Sequence, residues 1–66
     1  MFNNIKLQEL LEKNNISQHQ LAEKVGVSQP FISYVAMGLK EPSFPLACRI
    51  AKVFEVPVDL FIKKEV

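Results

Sequence analysis

The chain has 66 residues, of which 48% are hydrophobic and 23% charged, and its net charge is +1. This length fits one domain, residues 1–66, and a single cysteine and a single histidine exclude an internal disulfide and a zinc site. The sequence has no signal-peptide pattern and no apolar run of the roughly 20 residues that span a bilayer. We expect a globular cytoplasmic protein that binds no membrane, cofactor or small-molecule ligand.

The first half of the chain predicts two helices with recognisable ends. The first runs from about Asn4 to Asn14 and is followed by Asn15, a residue type that tolerates the left-handed conformation. Ser17 is the expected N-cap of the second helix, and Gln20, three residues later, completes a capping box. This helix is expected to end at Gly26, which adopts a left-handed conformation without steric cost.

Three further helices are predicted in the second half. Ser28 caps the third, which tolerates Pro30 in its first turn and ends at Gly38. Ser43 caps a fourth helix that reaches Phe54, and Pro57 opens a short fifth one. Because no segment alternates in the manner of a strand, the sequence predicts an all-α, compact five-helix bundle.

Only residues 26–28 separate the second and third predicted helices. A connection this short forces the two helices to cross steeply and leaves one face of the later helix projecting from the domain. This is the geometry of a helix-turn-helix, here at about residues 17–38, whose second helix enters the major groove of DNA. The pattern predicts a sequence-specific DNA-binding protein, a regulator of transcription of the repressor type.

The chain resembles the Cro/CI-type helix-turn-helix domain, the XRE-like family of phage and bacterial repressors with the lambda-repressor-like fold. The residues that carry the resemblance are Ile16-Ser17-Gln18, Leu21-Ala22, Val25-Gly26-Val27-Ser28, Ile32-Ser33, Gly38, Pro42-Ser43, Ile50-Ala51 and Leu60-Phe61. Many members carry a glutamate at the position of Ala36, paired with an arginine at that of Leu11. Both charges are absent here, so we expect Leu11 to pack against the turn of Val35 and Ala36.

The outer face of the third helix supplies the candidate base contacts. They are Gln29, Pro30, Phe31, Ser33 and Tyr34. A glutamine amide can bond N6 and N7 of adenine together, and the resemblance also points to Gln29 as a base reader. Serine and tyrosine hydroxyls suit base edges or phosphate, and proline or phenylalanine suits a thymine methyl. Two alternatives stay open, because Tyr34 also fits packing over the helix end and Phe31 also fits a partial place in the core.

Four residues beside this helix are candidate phosphate contacts. They are Gln18, Ser28, Lys40 and Ser43. Gln18 begins the second helix, where free amides and the positive end of the helix dipole favour an anion, and the resemblance implies a backbone contact there. Lys40 is the only cation of its loop, so we expect it to contribute to affinity and not to sequence preference.

Apolar residues in the C-terminal region, at about residues 56–66, predict a homodimer. The residues without an obvious place in a small core are Phe2, Leu39, Phe61, Ile62 and Val66, and the candidate contact consists of Val58, Phe61 and Ile62. Such a dimer would set its third helices about 34–36 Å apart and would require a near-palindromic operator.

A different function is also compatible with the sequence. Pro30, Phe31, Tyr34 and Met37 give the third helix an uncharged outer face that also suits a protein-binding module, antitoxin-like or regulator-binding. An enzyme is not expected, because the chain has neither a nucleophile elbow nor a glycine-rich phosphate loop.

Overall fold

The computed structural model describes residues 1–63. Within them lie four α-helices and one 3₁₀ turn: α1 (Asn4–Lys13), α2 (Gln18–Val25), α3 (Gln29–Ala36), α4 (Phe44–Phe54) and the turn Val58–Phe61. The prediction of an all-α fold is confirmed. None of the helices in this range is long and apolar enough to cross a membrane.

The prediction of five α-helices is wrong, because the segment after Pro57 forms only a 3₁₀ turn. Its amides bond three residues back, from Leu60 to Pro57 and from Ile62 to Asp59. The chain then becomes extended at Ile62 and forms an isolated antiparallel bridge with Phe2. Pairing with the N-terminal segment therefore ends the helical turn before an α-helical hydrogen bond can form.

The predicted capping serines are confirmed, whereas α3 ends at Ala36, two residues before the predicted Gly38. The Ser17 hydroxyl accepts from the Gln20 amide at 3.0 Å and the Gln20 side chain accepts from the Ser17 amide at 2.9 Å, which is the expected capping box. Ser28 and Ser43 cap α3 and α4 in the same way. Each such cap stabilises the domain by about 1 kcal/mol. Asn15 and Gly26 are left-handed, as predicted, and so are Gly38 after α3 and Glu55 at the end of α4.

The core contains two aromatic side chains that the sequence analysis left without an internal place. Phe61 is 0% exposed and Phe2 is 6% exposed. Their rings stack with centroids 5.1 Å apart and an interplanar angle of 7°. The expectation that these two residues lack an internal place is wrong, because the pairing of the two terminal segments brings them together over the core. Leu39 and Ile62 are exposed, as expected, and residues 64–66, including Val66, lie outside the described part of the chain.

Helix α1 holds the C-terminal end of α3 through two side-chain amides. Asn4 Nδ2 donates to the Ala36 carbonyl at 3.1 Å, and Gln8 Nε2 donates to the same oxygen. Leu11, Val35 and Ala36 are all buried in one core. Here α1 and α3 are joined by apolar packing and by these two bonds to a backbone carbonyl, without a charged pair.

Candidate nucleic-acid interface

The turn between α2 and α3 has the geometry that a helix-turn-helix requires. Gly26 adopts φ 77°, and the amides of Gly26 and Val27 both donate to the Ala22 carbonyl, which closes α2 within one residue. Ser28 then begins α3 with its hydroxyl accepting from the Phe31 amide at 3.3 Å. Since Ile32, Val35 and Ala36 are buried, the opposite face of α3 points away from the domain.

This outer face consists of uncharged side chains. Gln29 and Pro30 are exposed, Tyr34 is 43% exposed and Met37, just after the helix, is 55% exposed. Phe31 is only half-buried and packs against the core, so its ring has the partial core position that the sequence left open. No residue of α3 is acidic, so nothing on the helix itself repels a polyanion.

Ser33 does not lie on the open face where the periodicity of α3 puts it. It is half-buried, and its hydroxyl donates to Oε1 of Gln18 at 2.7 Å. Gln18 is the first residue of α2. The structure therefore brings one candidate base contact and one candidate phosphate contact together at the junction of the two helices.

The remaining candidate phosphate contacts flank α3. The hydroxyls of Ser28 and Ser43 each accept a backbone N–H bond at 3.3 Å, which leaves the hydroxyl hydrogen of each exposed serine available to a phosphate oxygen. Lys40 Nζ lies 5.7 Å from the centroid of the Tyr34 ring. The amides of Leu39 and Lys40 both donate to the Tyr34 carbonyl, so the loop after α3 folds back over the helix end.

A family model described as helix-turn-helix matches residues 7–61. The chain belongs to the XRE-type helix-turn-helix family. This is a family of transcription regulators that bind DNA, and it is non-enzymatic, which confirms the expectation that the chain is not an enzyme.

Relatives of this helix-turn-helix protein occur in archaea and bacteria. It is 42% identical over 53 residues to an HTH-type transcriptional regulator of Methanocaldococcus jannaschii, with 79% of this chain and 80% of the relative covered. It is 38% identical over 61 residues to an HTH-type transcriptional regulator of Archaeoglobus fulgidus, with 91% of this chain and 86% of the relative covered. A Mycobacterium tuberculosis HTH-type regulator is 41% identical over 49 residues, which represent 74% of this chain and only 35% of that protein.

A solved structure has the same fold. The crystal structure of a transcriptional regulator from Listeria innocua superposes with a TM-score of 0.83 at 26% sequence identity, covering 96% of this chain and 61% of that one. The helix-turn-helix protein thus spans most of its archaeal relatives but about a third of the mycobacterial relative and under two thirds of the Listeria chain.

Two polar side chains that support the helix-turn-helix, Arg49 and Glu41, were not predicted from the sequence. Arg49 Nη1 donates to the Val25 carbonyl at the end of α2 at 3.0 Å. The Glu41 carboxylate, next to Lys40, accepts from the Phe2 amide at 2.8 Å, and this anchors the loop that carries the lysine. These partners are 24 and 39 residues apart in sequence, so no local pattern could have revealed them.

The candidate dimer residues differ in accessibility. Val58 is half-buried and packs against the core, Phe61 is fully buried, and Ile62 is 40% exposed. Phe61 is therefore a core residue of the single chain, and of these three candidates Ile62 and a part of Val58 are accessible to a second copy.

Proposed function

We propose that this protein is a sequence-specific DNA-binding regulator of transcription, a repressor, which inserts α3 into the major groove. The observation that carries the proposal is the exposed, uncharged face of α3, held away from the domain by a three-residue turn with capped helices on both sides. The archaeal and bacterial relatives are named as HTH-type transcriptional regulators, which supports the proposal.

The first experiment measures binding to a labelled random-sequence duplex by fluorescence anisotropy between about 50 and 200 mM salt. We expect the logarithm of the affinity to fall linearly with the logarithm of the salt concentration. Lysine and arginine side chains that bind phosphates release the counterions condensed there, and added salt opposes this release. No binding at the lowest salt concentration would exclude the proposed function.

Base recognition is assigned in this proposal chiefly to Gln29. Its exposed side chain begins α3, where base contacts concentrate in this motif. Its carboxamide oxygen can accept from N6 of adenine while its NH2 group donates to N7. Pro30 and Tyr34, exposed on the same helix, supply apolar and hydroxyl contacts beside it.

Gln29→Ala is expected to relax sequence preference at one base pair of the operator. Loss of a bidentate contact costs about 1–3 kcal/mol of discrimination, while affinity for random DNA changes little. Selection of bound sites from a random pool, with wild type and variant in parallel, measures this. If the two selected consensus sequences were the same, Gln29 would not be a base reader.

Phosphate binding is assigned to Gln18, Ser28, Lys40 and Ser43. Lys40 is the cation among them, and its position over Tyr34 holds the ammonium group beside the end of α3. Ser28 begins the same helix, the α2 terminus is bonded to it through Gln18 and Ser33, and Ser43 begins α4 after the loop that carries Lys40.

Lys40→Ala is expected to make the dependence of log affinity on log salt concentration less steep by about one unit. The relative loss of affinity is expected to be the same on every DNA sequence. The matched control is Lys52→Ala, since Lys52 is exposed in the last turn of α4, at the far end from Ser43. Equal slopes for wild type and Lys40→Ala would remove Lys40 from the phosphate contacts.

We also propose that the protein binds a near-palindromic operator as a homodimer through its C-terminal region. Met1, Leu60 and Ile62 are exposed apolar residues of the two paired terminal segments, 67%, 38% and 40% exposed. Sedimentation at tens of micromolar, with Ile62→Asp as the disrupting variant, tests this proposal. A monomer that binds DNA with single-site stoichiometry would refute the dimer and leave DNA binding intact.

The exposed apolar residues around the end of α3 support a second candidate function, protein binding. Met37, Leu39 and Phe44 are 55%, 67% and 62% exposed. Such a surface suits a protein partner. The salt titration separates the two functions, because a pure protein-binding module has no affinity for random DNA.

A further inference from the structure

We propose that Ser33 is a positioning residue for DNA binding, and not the base reader that its place in α3 predicts. Its role is to hold the Gln18 carboxamide so that the amide hydrogens of Gln18 face the phosphate. This inference rests on the proposed function, since it assigns a part in the same DNA interface.

The argument begins with the hydrogen bond between the two helices. Ser33 Oγ donates to Gln18 Oε1 at 2.7 Å, and both residues are half-buried. A serine hydroxyl has one hydrogen, so this bond uses the only donor of the Ser33 side chain. With that hydrogen engaged, the side chain can donate neither to a base acceptor nor to a phosphate oxygen, and only its lone pairs remain, for a base amino group.

The same bond fixes which end of the Gln18 amide is presented. With Oε1 engaged by Ser33, the group that Gln18 can offer to a ligand is Nε2 and its two hydrogens. Phosphate oxygens accept such hydrogens, whereas the opposite orientation would turn a carbonyl oxygen toward the phosphate. Ser33 thereby selects the favourable orientation before DNA arrives, which reduces the entropy lost on binding.

The bond also links the two parts of the motif. Gln18 is the first residue of α2 and Ser33 lies one turn into α3, four residues after Gln29. A phosphate bound by Gln18 is therefore held in a fixed position relative to the helix that carries Gln29. We infer that the pair sets the depth and register of α3 in the groove.

The test compares five proteins with the wild type: Ser33→Ala, Ser33→Thr, Gln18→Ala, Gln18→Glu and the double variant Ser33→Ala/Gln18→Ala. Their affinities are measured by anisotropy on a selected duplex and on a random duplex. Urea titration verifies that each variant is folded at the temperature of the binding experiment.

Ser33→Ala is expected to weaken binding to both duplexes about three- to tenfold, the effect of one hydrogen bond. Ser33→Thr keeps the hydroxyl and restores most of the affinity. Gln18→Ala is expected to lose at least as much affinity as Ser33→Ala. The double variant is expected to lose no more affinity than Gln18→Ala, because the serine acts through the glutamine. Gln18→Glu still accepts from Ser33 but replaces the amide hydrogens with a negative charge, so it loses more affinity than Gln18→Ala.

Two results would overturn the inference while leaving DNA binding in place. One is a Ser33→Ala loss that adds fully to that of Gln18→Ala, and the other is a change in the selected consensus at one base pair, which is the signature of a base reader. Failure of the wild type to bind any duplex would instead refute the proposed function, and the role of Ser33 with it.

Discussion

Phe61→Ala is expected to remove a large share of the free energy of unfolding of the protein. The side chain is 0% exposed and stacks on Phe2, and truncation of a buried phenylalanine costs about 3–5 kcal/mol. A domain of 66 residues has a total stability of roughly 3–10 kcal/mol, so the loss is comparable with the whole. Urea titration followed by helical circular dichroism measures the change.

The matched control is Phe44→Ala, the same substitution at a phenylalanine that is 62% exposed. It is expected to change stability by less than about 0.5 kcal/mol, as for other surface positions. If the two variants were equally stable, Phe61 would not be a core residue, and its place in a contact between two copies would have to be reconsidered.

Leu11→Arg is expected to destabilise the protein by about 3–5 kcal/mol, because it leaves a charge in the core without a partner. Leu11 is 7% exposed, and Ala36, whose family counterpart is often a glutamate, is 1% exposed. Adding Ala36→Glu to Leu11→Arg should recover part of the loss, since each charge then has its partner. Urea titration of the two single variants and the double variant gives the coupling energy.

The outcome of this cycle tests how α1 and α3 are joined. Here the link consists of apolar packing and of the amides of Asn4 and Gln8 on the Ala36 carbonyl. A Leu11→Arg variant more stable than wild type, or a double variant with no positive coupling, would contradict the view that two apolar residues replace the family's ion pair.

The helix ends were predictable because their interactions are local. A capping serine and its acceptor amide are three residues apart, as at Ser17, Ser28 and Ser43, and a left-handed residue such as Gly26 is recognised from its type alone. The buried positions of α3 also follow from the sequence, because helical periodicity fixes which residues share a face.

The contacts between distant segments were not predictable from the same information. The stack of Phe2 on Phe61 depends on the pairing of the terminal segments, and that pairing also replaced the fifth helix with a 3₁₀ turn. Periodicity assigns a residue to a face but does not say which neighbouring element covers that face. Ser33 illustrates this limit, since it faces outward by its helical angle and yet is half-buried beside the start of α2.

The absence of charge on α3 has a consequence for how the protein searches a genome. If α3 enters the groove as proposed, base discrimination comes from amide, hydroxyl and apolar contacts, whose interaction energies vary little with ionic strength. Affinity for DNA of arbitrary sequence comes instead from a few flanking cations and depends on salt. Raising the salt concentration then weakens non-cognate complexes at least as much as cognate ones. The ratio of cognate to non-cognate affinity is then kept or raised at higher salt, so a larger share of the bound molecules occupies the true site.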